Sequence, residues 1–302
     1  MPKKVKRDWK TYNDRLVKRG ELLLDLDFVE NWEKELEEMN RGKRGKPYAY
    51  PESLIEFLAF PRYFFRLPFR QEEGFVEALR KFVPELEVPD YSTICRRINS
   101  LQPKFERSLQ DLGDDVVVAI DASGIKVTNR GDWIREQWNQ KPRRGYLKIH
   151  LVVDTKTKQI LAMEVTDERT GDIKMFKPLV ERASGRARIK LVLADSAYDS
   201  RDNFNFLEAR GIEPGIKIKR GASGKARGSL ARRRAARELL QDEEGWKRKV
   251  GYGRRWVVEG TFSNLKRFFG EFVMAQKFEN MAREMMLKAF CYNLLIKLSA
   301  ST

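Results

Sequence analysis

Two aspartates follow long apolar runs in the middle of the sequence. Asp121 comes directly after residues 116–120 (VVVAI), and Asp195 comes after residues 189–194 (IKLVLA). Such runs predict buried central strands, and an open α/β sheet binds its ligands at the carboxyl ends of these strands. Carboxylates held together there bind divalent cations, which catalyse phosphoryl transfer. An aspartate after a strand is also a common turn former, so each residue alone is an ambiguous signal.

A third carboxylate, Glu259, lies in a predicted helix near the end of the chain. Arg255, Glu259 and Lys266 are spaced by four and seven residues, so they share one face of this helix. A neighbouring face carries apolar residues at helical spacing and is predicted to contact the core: Val258, Phe262, Leu265 and Phe269. One acid between two bases either completes a metal site or forms an exposed ion pair.

The scarcity of histidine and cysteine narrows the possible chemistry. The chain has one histidine, His150, which excludes histidine-rich zinc sites. Cys95 and Cys291 lie far apart in predicted helices, which indicates reduced, structural residues rather than a metal-binding pair. Any acid–base chemistry therefore falls to carboxylates.

The chain is strongly basic. It carries 60 Lys and Arg against 44 Asp and Glu, a formal net charge of +16. Such an excess favours a polyanionic partner, above all nucleic acid. No apolar run approaches the roughly 18 residues of a membrane-spanning helix, and no apolar segment follows the basic start. We therefore expect a soluble, intracellular protein with no membrane partner.

Much of the excess charge is concentrated in residues 217–255. This stretch holds fourteen Lys or Arg and four Asp or Glu. It begins rich in Gly and Ser and then becomes helix-prone, a pattern that predicts a flexible loop that clamps DNA. Arg232, Arg233 and Arg234 are the candidate phosphate contacts in it.

Residues 1–110 carry only helical patterns and form the first predicted domain. Its predicted helices are 27–39, 52–66, 70–82 and 91–101. The last follows Asp90 and carries Arg96 and Arg97 beside apolar residues, which suits the recognition helix of a helix-turn-helix-like, DNA-binding module. A helix with a solvated basic face has the same pattern, so both interpretations stay open.

Residues 111–302 form the second predicted domain. Strands are predicted at 116–120, 146–153, 160–165, 189–194 and 215–219, with helices at 172–183 and 200–210. Strands that come first and then alternate with helices indicate a mixed sheet flanked by helices. The predicted fold class is therefore α/β, preceded by an all-helical N-terminal domain.

The end of this second domain resembles a motif of insertion-sequence transposases of the DDE class, which have an RNase H-like catalytic domain. Their signature is Tyr, two residues, Arg, three residues, Glu, six residues and Lys, and this chain matches every position: Tyr252, Arg255, Glu259 and Lys266. AIDASGIKV and LADSAYDS resemble the first two motifs, and they assign the other two acids to Asp121 and Asp195. Segments from PYAYPESLIEFLAF to PDYSTICRRINSL are similar to the helical domain of the same transposases, so the resemblance covers nearly the whole chain.

The resemblance implies a cut-and-paste transposase. It would bind the terminal inverted repeats of a mobile element, cut the DNA there and join the freed 3′ ends to double-stranded target DNA. Asp121, Asp195 and Glu259 would hold two Mg²⁺ ions, for which Mn²⁺ could substitute. Arg255 and Lys266 would contact DNA phosphates near the cut, while Tyr252 would either touch a phosphate or pack its ring. A homodimer assembled on DNA and a cytoplasmic, nucleoid-associated location are also implied.

Two other functions fit parts of the sequence. A DNA-binding repressor would keep the basic surface but would be free to lose the acids, and all three are present. A nuclease or junction resolvase would keep the fold and the metals but stop at hydrolysis, whereas the Tyr-Arg-Glu-Lys spacing favours transposition. Trp133 and Trp138 could stack on an unpaired base beside the cut or pack internally.

Overall fold

The computed structural model describes residues 8–127, 146–225 and 228–298. They fold into two compact units, residues 8–104 with 286–298 and residues 105–285. Trp133 and Trp138, with their predicted stacking or packing roles, lie outside the described residues. In the described part of the chain, no helix is both long and apolar enough to cross a bilayer. Cys95 and Cys291 are free thiols, as predicted.

The first unit is built from helices, which confirms the predicted helical N-terminal region. Asp90 caps its sixth helix by accepting hydrogen bonds from the backbone N–H groups of Ser92 and Thr93. Leu54 and Leu58 are fully buried in its core. The helices are α1 (Trp9–Glu21), α2 (Asp27–Glu30), α3 (Trp32–Asn40), α4 (Glu52–Phe65), α5 (Phe69–Arg80), α6 (Tyr91–Ser100) and the end of α13 (Phe278–Leu298).

The contribution of α13 differs from the predicted division at residue 110. Residues 286–298 belong to the first unit, where Lys288 Nζ lies 5.9 Å from the centre of the Tyr63 ring. This part of α13 buries an apolar face: Leu287, Phe290, Tyr292 and Leu295. A sequence pattern shows that such a face needs a partner, but not that the partner lies more than 200 residues earlier in the chain.

The second unit contains the predicted mixed sheet. Its strand order is β3-β2-β1-β4-β5, with β1, β4 and β5 parallel and β2 antiparallel to both β1 and β3. This arrangement agrees with the expected RNase H-like fold. The strands are β1 (Val116–Lys126), β2 (Tyr146–Asp154), β3 (Ile160–Asp167), β4 (Ile189–Ala194) and β5 (Glu213–Ile216).

Helices flank this sheet. α8 packs against β2 and β3, while α12 packs against β1 and β2. Successive residues of a strand point to opposite faces, so the side chains of β1 are divided between the two layers. The helices of this unit are α7 (Phe105–Ser108), α8 (Asp172–Ser184), α9 (Arg201–Ala209), α10 (Leu230–Gln241), α11 (Glu243–Val250), α12 (Trp256–Phe269) and the start of α13.

Candidate active site

Asp121 lies inside β1 rather than after its end, which corrects the prediction that the strand stops at residue 120. The strand continues to Lys126 because residues 121–126 pair with β2, where Asp121 lies opposite Leu151. The sequence Ala-Ser-Gly after Asp121 suggests a turn, but pairing with β2 keeps it extended. The carboxylate is therefore carried by a strand instead of a loop.

Asp195 follows β4 directly, as predicted. Its Oδ1 atom accepts a hydrogen bond of 2.8 Å from the backbone N–H of Ala197. The last pair between the parallel strands β1 and β4 joins Ala119 and Leu193. Asp121 and Asp195 each come two residues after this pair, so they lie at the same edge of the sheet.

α12 brings the third acid and two bases to β1. Glu259 and Lys266 lie within the helix, and Arg255 ends the 3-10 turn that precedes it. Lys266 Nζ donates a hydrogen bond of 2.9 Å to Oγ of Ser123, two residues after Asp121. The helix can approach the sheet this closely because its predicted apolar stripe is buried: Val258, Phe262, Leu265 and Phe269.

The Arg255 guanidinium bridges two of the three carboxylates. Its Nη1 atom donates to Asp121 Oδ2 at 3.0 Å, and its Nη2 atom donates to Glu259 Oε1 at 2.7 Å. The side chains of Arg255, Asp121 and Glu259 are 15%, 22% and 37% exposed. The predicted Arg255–Glu259 pair is thus part of a half-buried cluster and not a solvated surface pair.

Burial, ion pairing and repulsion between the acids all shift pKa values in this cluster. Burial raises the pKa of Asp121, nearby Asp195 and Glu259 raise it further, and together they outweigh the hydrogen bond from Ala122 and the charge of Arg255. Burial also lowers the pKa of Arg255, but the combined effect of Tyr252, Glu259 and Asp121 raises it above its usual value. The guanidinium therefore stays charged and partly offsets three converging acids.

Tyr252 has a structural contact. Its hydroxyl donates a hydrogen bond of 3.2 Å to the backbone carbonyl of Ala194, the residue before Asp195. Its ring lies 5.2 Å from the Trp246 ring, centre to centre. Of the two predicted roles, packing is the one with a contact in the structure. Tyr252 connects the segment before α12 to the end of β4.

Two neighbours of this cluster were missed by the sequence interpretation. Ser123 shares a strand face with Asp121 because the residues are two apart, a signal that the predicted strand end at residue 120 concealed. Trp256 follows Arg255 and is 67% exposed, and Arg255 Cζ lies 5.9 Å from the centre of its ring. Its position next to Arg255 in the sequence was enough to identify Trp256 as a neighbour of the site.

The donor set of this cluster fits divalent cations. Mg²⁺ prefers oxygen ligands and is commonly held by one or two carboxylates, with water and phosphate oxygens as its other ligands. Asp121 has Glu259 and Asp195 as neighbouring acids, each close enough to raise its pKa. In the described ranges, no three or more Asp, Glu, His or Cys side chains are grouped closely enough to hold one ion. The three acids of the cluster therefore do not surround one common ion position in this structure.

Arg232 in the basic stretch is bound within the protein. Its Nε and Nη2 atoms donate to the two carboxylate oxygens of Asp199 at 2.6 and 2.7 Å. Asp199 is fully buried and also accepts a hydrogen bond from the backbone N–H of Lys219. This corrects the prediction that Arg232 is a phosphate contact, because its guanidinium secures α10 to Asp199, in the segment between β4 and α9.

Of the two neighbouring arginines, Arg234 is clearly the more accessible. Arg234 is 70% exposed at its side chain and pairs with Glu208, and Arg233 is half-buried on the same helix. Exposed ion pairs of this kind contribute little to stability, so a phosphate can replace the carboxylate at low cost. Much of the predicted clamping loop is helical, since α10 and α11 occupy residues 230–241 and 243–250.

Glutamine at both Arg233 and Arg234 should weaken the salt dependence of DNA binding. Each phosphate contact contributes about 0.9 to the slope of log affinity against log salt, so the slope should fall by roughly two. The matched control removes two paired arginines elsewhere in the same unit, Arg182 and Arg210. Fluorescence anisotropy over a salt series measures both slopes. Equal slopes for the two double variants would mean that this part of α10 does not meet DNA.

The two arginines of α6 differ in their surroundings. Arg97 Nη1 donates to the Tyr50 carbonyl oxygen at 2.9 Å, and Arg97 Cζ lies 4.8 Å from the Tyr48 ring centre. Arg96 is exposed and donates hydrogen bonds to its own helix, at the Ser92 carbonyl oxygen and Thr93 Oγ1. Arg96 thus faces solvent, whereas Arg97 also holds the loop before α4. Both line a cavity of about 290 Å³ in this unit.

His150 lies on the other face of the sheet from Asp121. It pairs with Ala122 and approaches α8, where its Nδ1 atom lies 3.6 Å from Asp172 Oδ1. Its Nε2 atom is 3.0 Å from Thr166 Oγ1, and the side chain is fully buried. Burial lowers the pKa of His150 to about 4, although Asp172 raises it, and Lys148 lowers it further. The imidazole is therefore neutral at physiological pH.

We expect the imidazole of His150 to titrate near pH 4 in the folded protein. The unfolded chain takes up this proton near pH 6.5, so the neutral buried ring makes folding less favourable as pH falls from about 6.5 towards 4. Because the chain has one histidine, its ring carbon protons give an unambiguous NMR signal. The same signal in urea is the control. A folded-state midpoint near 6.5 would contradict the buried, neutral assignment.

Comparison with known proteins agrees with this site. A family model described as "Transposase DDE domain" matches residues 112–294, and a second model with the same description matches residues 17–130. The first match covers more than half of the chain and includes all three acids and both bases of the site.

Several solved structures are distantly similar. A piggyBac transposase synaptic complex with hairpin DNA is 10% identical, over 94% of this chain and 75% of that one, with a TM-score of 0.41. A Drosophila P element transposase strand transfer complex is 12% identical, over 63% and 42%, with a TM-score of 0.32. The Mos1 strand transfer complex is 10% identical, over 85% and 78%, with a TM-score of 0.30.

Proposed function

Because this chain belongs to the family of transposases with a DDE domain, we propose that Asp121, Asp195 and Glu259 form the centre at which it cuts and joins DNA. The observation that carries this proposal is the convergence of acids from β1, the end of β4 and α12, with Arg255 between two of them. The substrate is double-stranded DNA at the inverted repeats of a mobile element, and the acceptor is target DNA.

The family implies a divalent metal, and we propose Mg²⁺ as the ion. Two Mg²⁺ ions held by Asp121, Asp195 and Glu259, with Mn²⁺ as a substitute, would stabilise the attacking and leaving oxygens of the phosphodiester. Asp121 has both other acids as neighbours, so it is the ligand suited to be shared. The pairing of Asp121 within β1 and the hydrogen bond from Ala197 to Asp195 orient these two carboxylates.

The bases of the site bind the DNA strand that reacts. Arg255 offers a planar fork that matches phosphate oxygens, and Lys266 offers a compact charge. Ser123 holds Lys266 Nζ two residues from Asp121, so a phosphate bound there lies beside the acids. Tyr252 positions the segment that carries Arg255 through its bond to the Ala194 carbonyl oxygen. These side chains thus orient the phosphodiester for in-line attack.

DNA outside the cut is bound by basic surfaces of both units. We assign Arg233 and Arg234 of α10 to phosphate contacts and Arg96 of α6 to recognition of the element's end. Phosphate contacts supply affinity and register, while base contacts supply sequence specificity. Assembly as a homodimer on paired element ends is part of this proposal, because transposition must cut and join two ends together.

The alternative function is a nuclease or junction resolvase that stops after hydrolysis. The Lys266 and Arg255 positions beside the acids favour a site that retains the cut 3′ end, which transfer requires. A repressor that only binds DNA is a third candidate, and the preserved acid cluster argues against it.

A strand-transfer assay distinguishes these functions. A labelled duplex that carries the inverted repeats flanking the gene is incubated with supercoiled plasmid and Mg²⁺. A transposase nicks the labelled duplex at the repeat boundary and joins it to the plasmid. Nicking without joined product would identify a nuclease, and binding without nicking would identify a DNA-binding protein.

A further inference from the structure

We infer that Arg255 regulates metal binding at this site: its guanidinium takes the cation's place between Asp121 and Glu259 until DNA phosphate draws it away. This inference rests on the proposed function, since it takes Asp121 and Glu259 to be metal ligands. It adds an order of binding: DNA first moves Arg255 away from the acids, and the metal ions then bind between them.

The first support is the geometry of the bridge. Arg255 gives one nitrogen to each of two carboxylates that approach from different elements, at 3.0 and 2.7 Å. The Asp199–Arg232 pair in the same unit is different, because there two nitrogens bind both oxygens of one fully buried carboxylate. Arg232 thus makes a fixed structural pair, whereas Arg255 takes the position between two separate acids that an ion would take.

The second support is the charge balance of the cluster. Arg255 and Lys266 bring two positive charges to three carboxylates, which leaves a site of net negative charge that attracts cations. A divalent ion bound between Asp121 and Glu259 would lie at contact distance from the guanidinium, and two such cations repel strongly at that distance. The ion and Arg255 therefore cannot both keep these positions.

The third support is the surroundings of Arg255. It ends a 3-10 turn at the start of α12, beside the exposed ring of Trp256. A side chain that starts at this boundary can turn away while Glu259 stays in the helix. Phosphate accepts two parallel hydrogen bonds from a guanidinium, so DNA supplies a partner equal to the carboxylates that Arg255 leaves.

A thermodynamic consequence follows from this exchange. If DNA draws Arg255 from the acids, DNA must raise metal affinity, and metal must raise DNA affinity by the same factor. Removing the charge of Arg255 should then tighten metal binding in the absence of DNA. Removing this charge should also abolish the part of the coupling between DNA binding and metal binding that depends on Arg255.

The experiment measures Mn²⁺ affinity by electron paramagnetic resonance, which needs no turnover. Arg255→Gln should bind Mn²⁺ roughly tenfold more tightly than the wild type without DNA, because one nearby positive charge is removed. Adding a random-sequence duplex at low salt should increase Mn²⁺ affinity in the wild type and leave it nearly unchanged in Arg255→Gln.

Two variants serve as controls. Arg254→Gln removes the same charge one residue away, where the guanidinium donates to the Gly251 and Val250 carbonyl oxygens rather than to the acids. It should bind Mn²⁺ like the wild type. Arg255→Lys keeps the charge and should also bind Mn²⁺ like the wild type. A higher Mn²⁺ affinity in Arg255→Gln but not in Arg255→Lys would therefore identify the lost charge as the cause.

The outcomes separate this inference from the proposed function. Equal or weaker Mn²⁺ binding by Arg255→Gln, with binding lost in Asp121→Asn and Glu259→Gln, would overturn the inference and leave the metal ligands in place. Unchanged Mn²⁺ binding in Asp121→Asn and Glu259→Gln would overturn the ligand assignment and the inference with it.

Discussion

Asparagine at Asp121 or Asp195, or glutamine at Glu259, should lower the rate of DNA cleavage by roughly a thousandfold or more. Each change removes one negative ligand from the metal site while it keeps the size of the side chain. Metal ions contribute several kcal/mol of transition-state stabilisation, and each 1.36 kcal/mol is a factor of ten in rate. DNA binding should be retained, because the acids repel phosphate when no metal is present.

Cleavage and binding are scored separately on an element-end duplex, with Ca²⁺ for binding and Mg²⁺ for nicking. Asp202→Asn is the matched control, since Asp202 is 83% exposed at its side chain and lies at the start of α9. It should cleave like the wild type. Retained nicking in Glu259→Gln, with both aspartate variants inactive, would show that the third ligand is wrongly assigned.

Alanine at Asp199 should destabilise the second unit by about 3–5 kcal/mol. The change leaves Arg232, 13% exposed, without the carboxylate that binds it in two places, and breaking a buried ion pair costs about this much. It also removes the acceptor for the backbone N–H of Lys219. Urea unfolding followed by circular dichroism measures the free energy of unfolding.

The exposed pair on the same helix provides the control for this measurement. Glu208→Ala removes the partner of Arg234 at the surface and should cost less than about 1 kcal/mol. If the two variants lose equal stability, Asp199 does not anchor α10. The same result would return Arg232 to the candidate phosphate contacts.

The order of elements in the second unit was predictable because apolar runs reveal buried strands. Residues 146–153 and 189–194 match β2 and β4 to within a residue. The length of β1 was not predictable, because Ala-Ser-Gly has turn character and only pairing with β2 keeps it extended. Pairing with a strand distant in sequence thus outweighed the local preference for a turn after Asp121.

The grouping of the four signature residues was predictable for a different reason. Tyr252, Arg255, Glu259 and Lys266 have a fixed spacing on one segment, so local sequence is enough to place them together. The partners that these side chains contact are distant in sequence. The Arg255–Asp121 and Arg232–Asp199 bonds span 134 and 33 residues, and no periodicity encodes them. Arg232 was therefore assigned to DNA when its charge is used inside the protein.

The domain boundary shows the same limitation. Residues 1–110 have helical patterns throughout, which correctly predicts the helical unit. The end of α13 completes that unit because its apolar face is buried there. An amphipathic pattern identifies the helix face that must be buried, but tertiary packing determines which part of the chain buries it.

The most direct test of the central claim is cleavage by Asp121→Cys in two metals. Mg²⁺ is a hard cation that requires oxygen ligands, whereas the transition metal Mn²⁺ accepts a softer thiolate. If Asp121 binds the catalytic metal, the cysteine variant should be inactive in Mg²⁺ and should regain nicking at the element end in Mn²⁺. Nicking in Mg²⁺ at the wild-type rate, or no nicking in either metal, would contradict the assignment of Asp121 as a metal ligand.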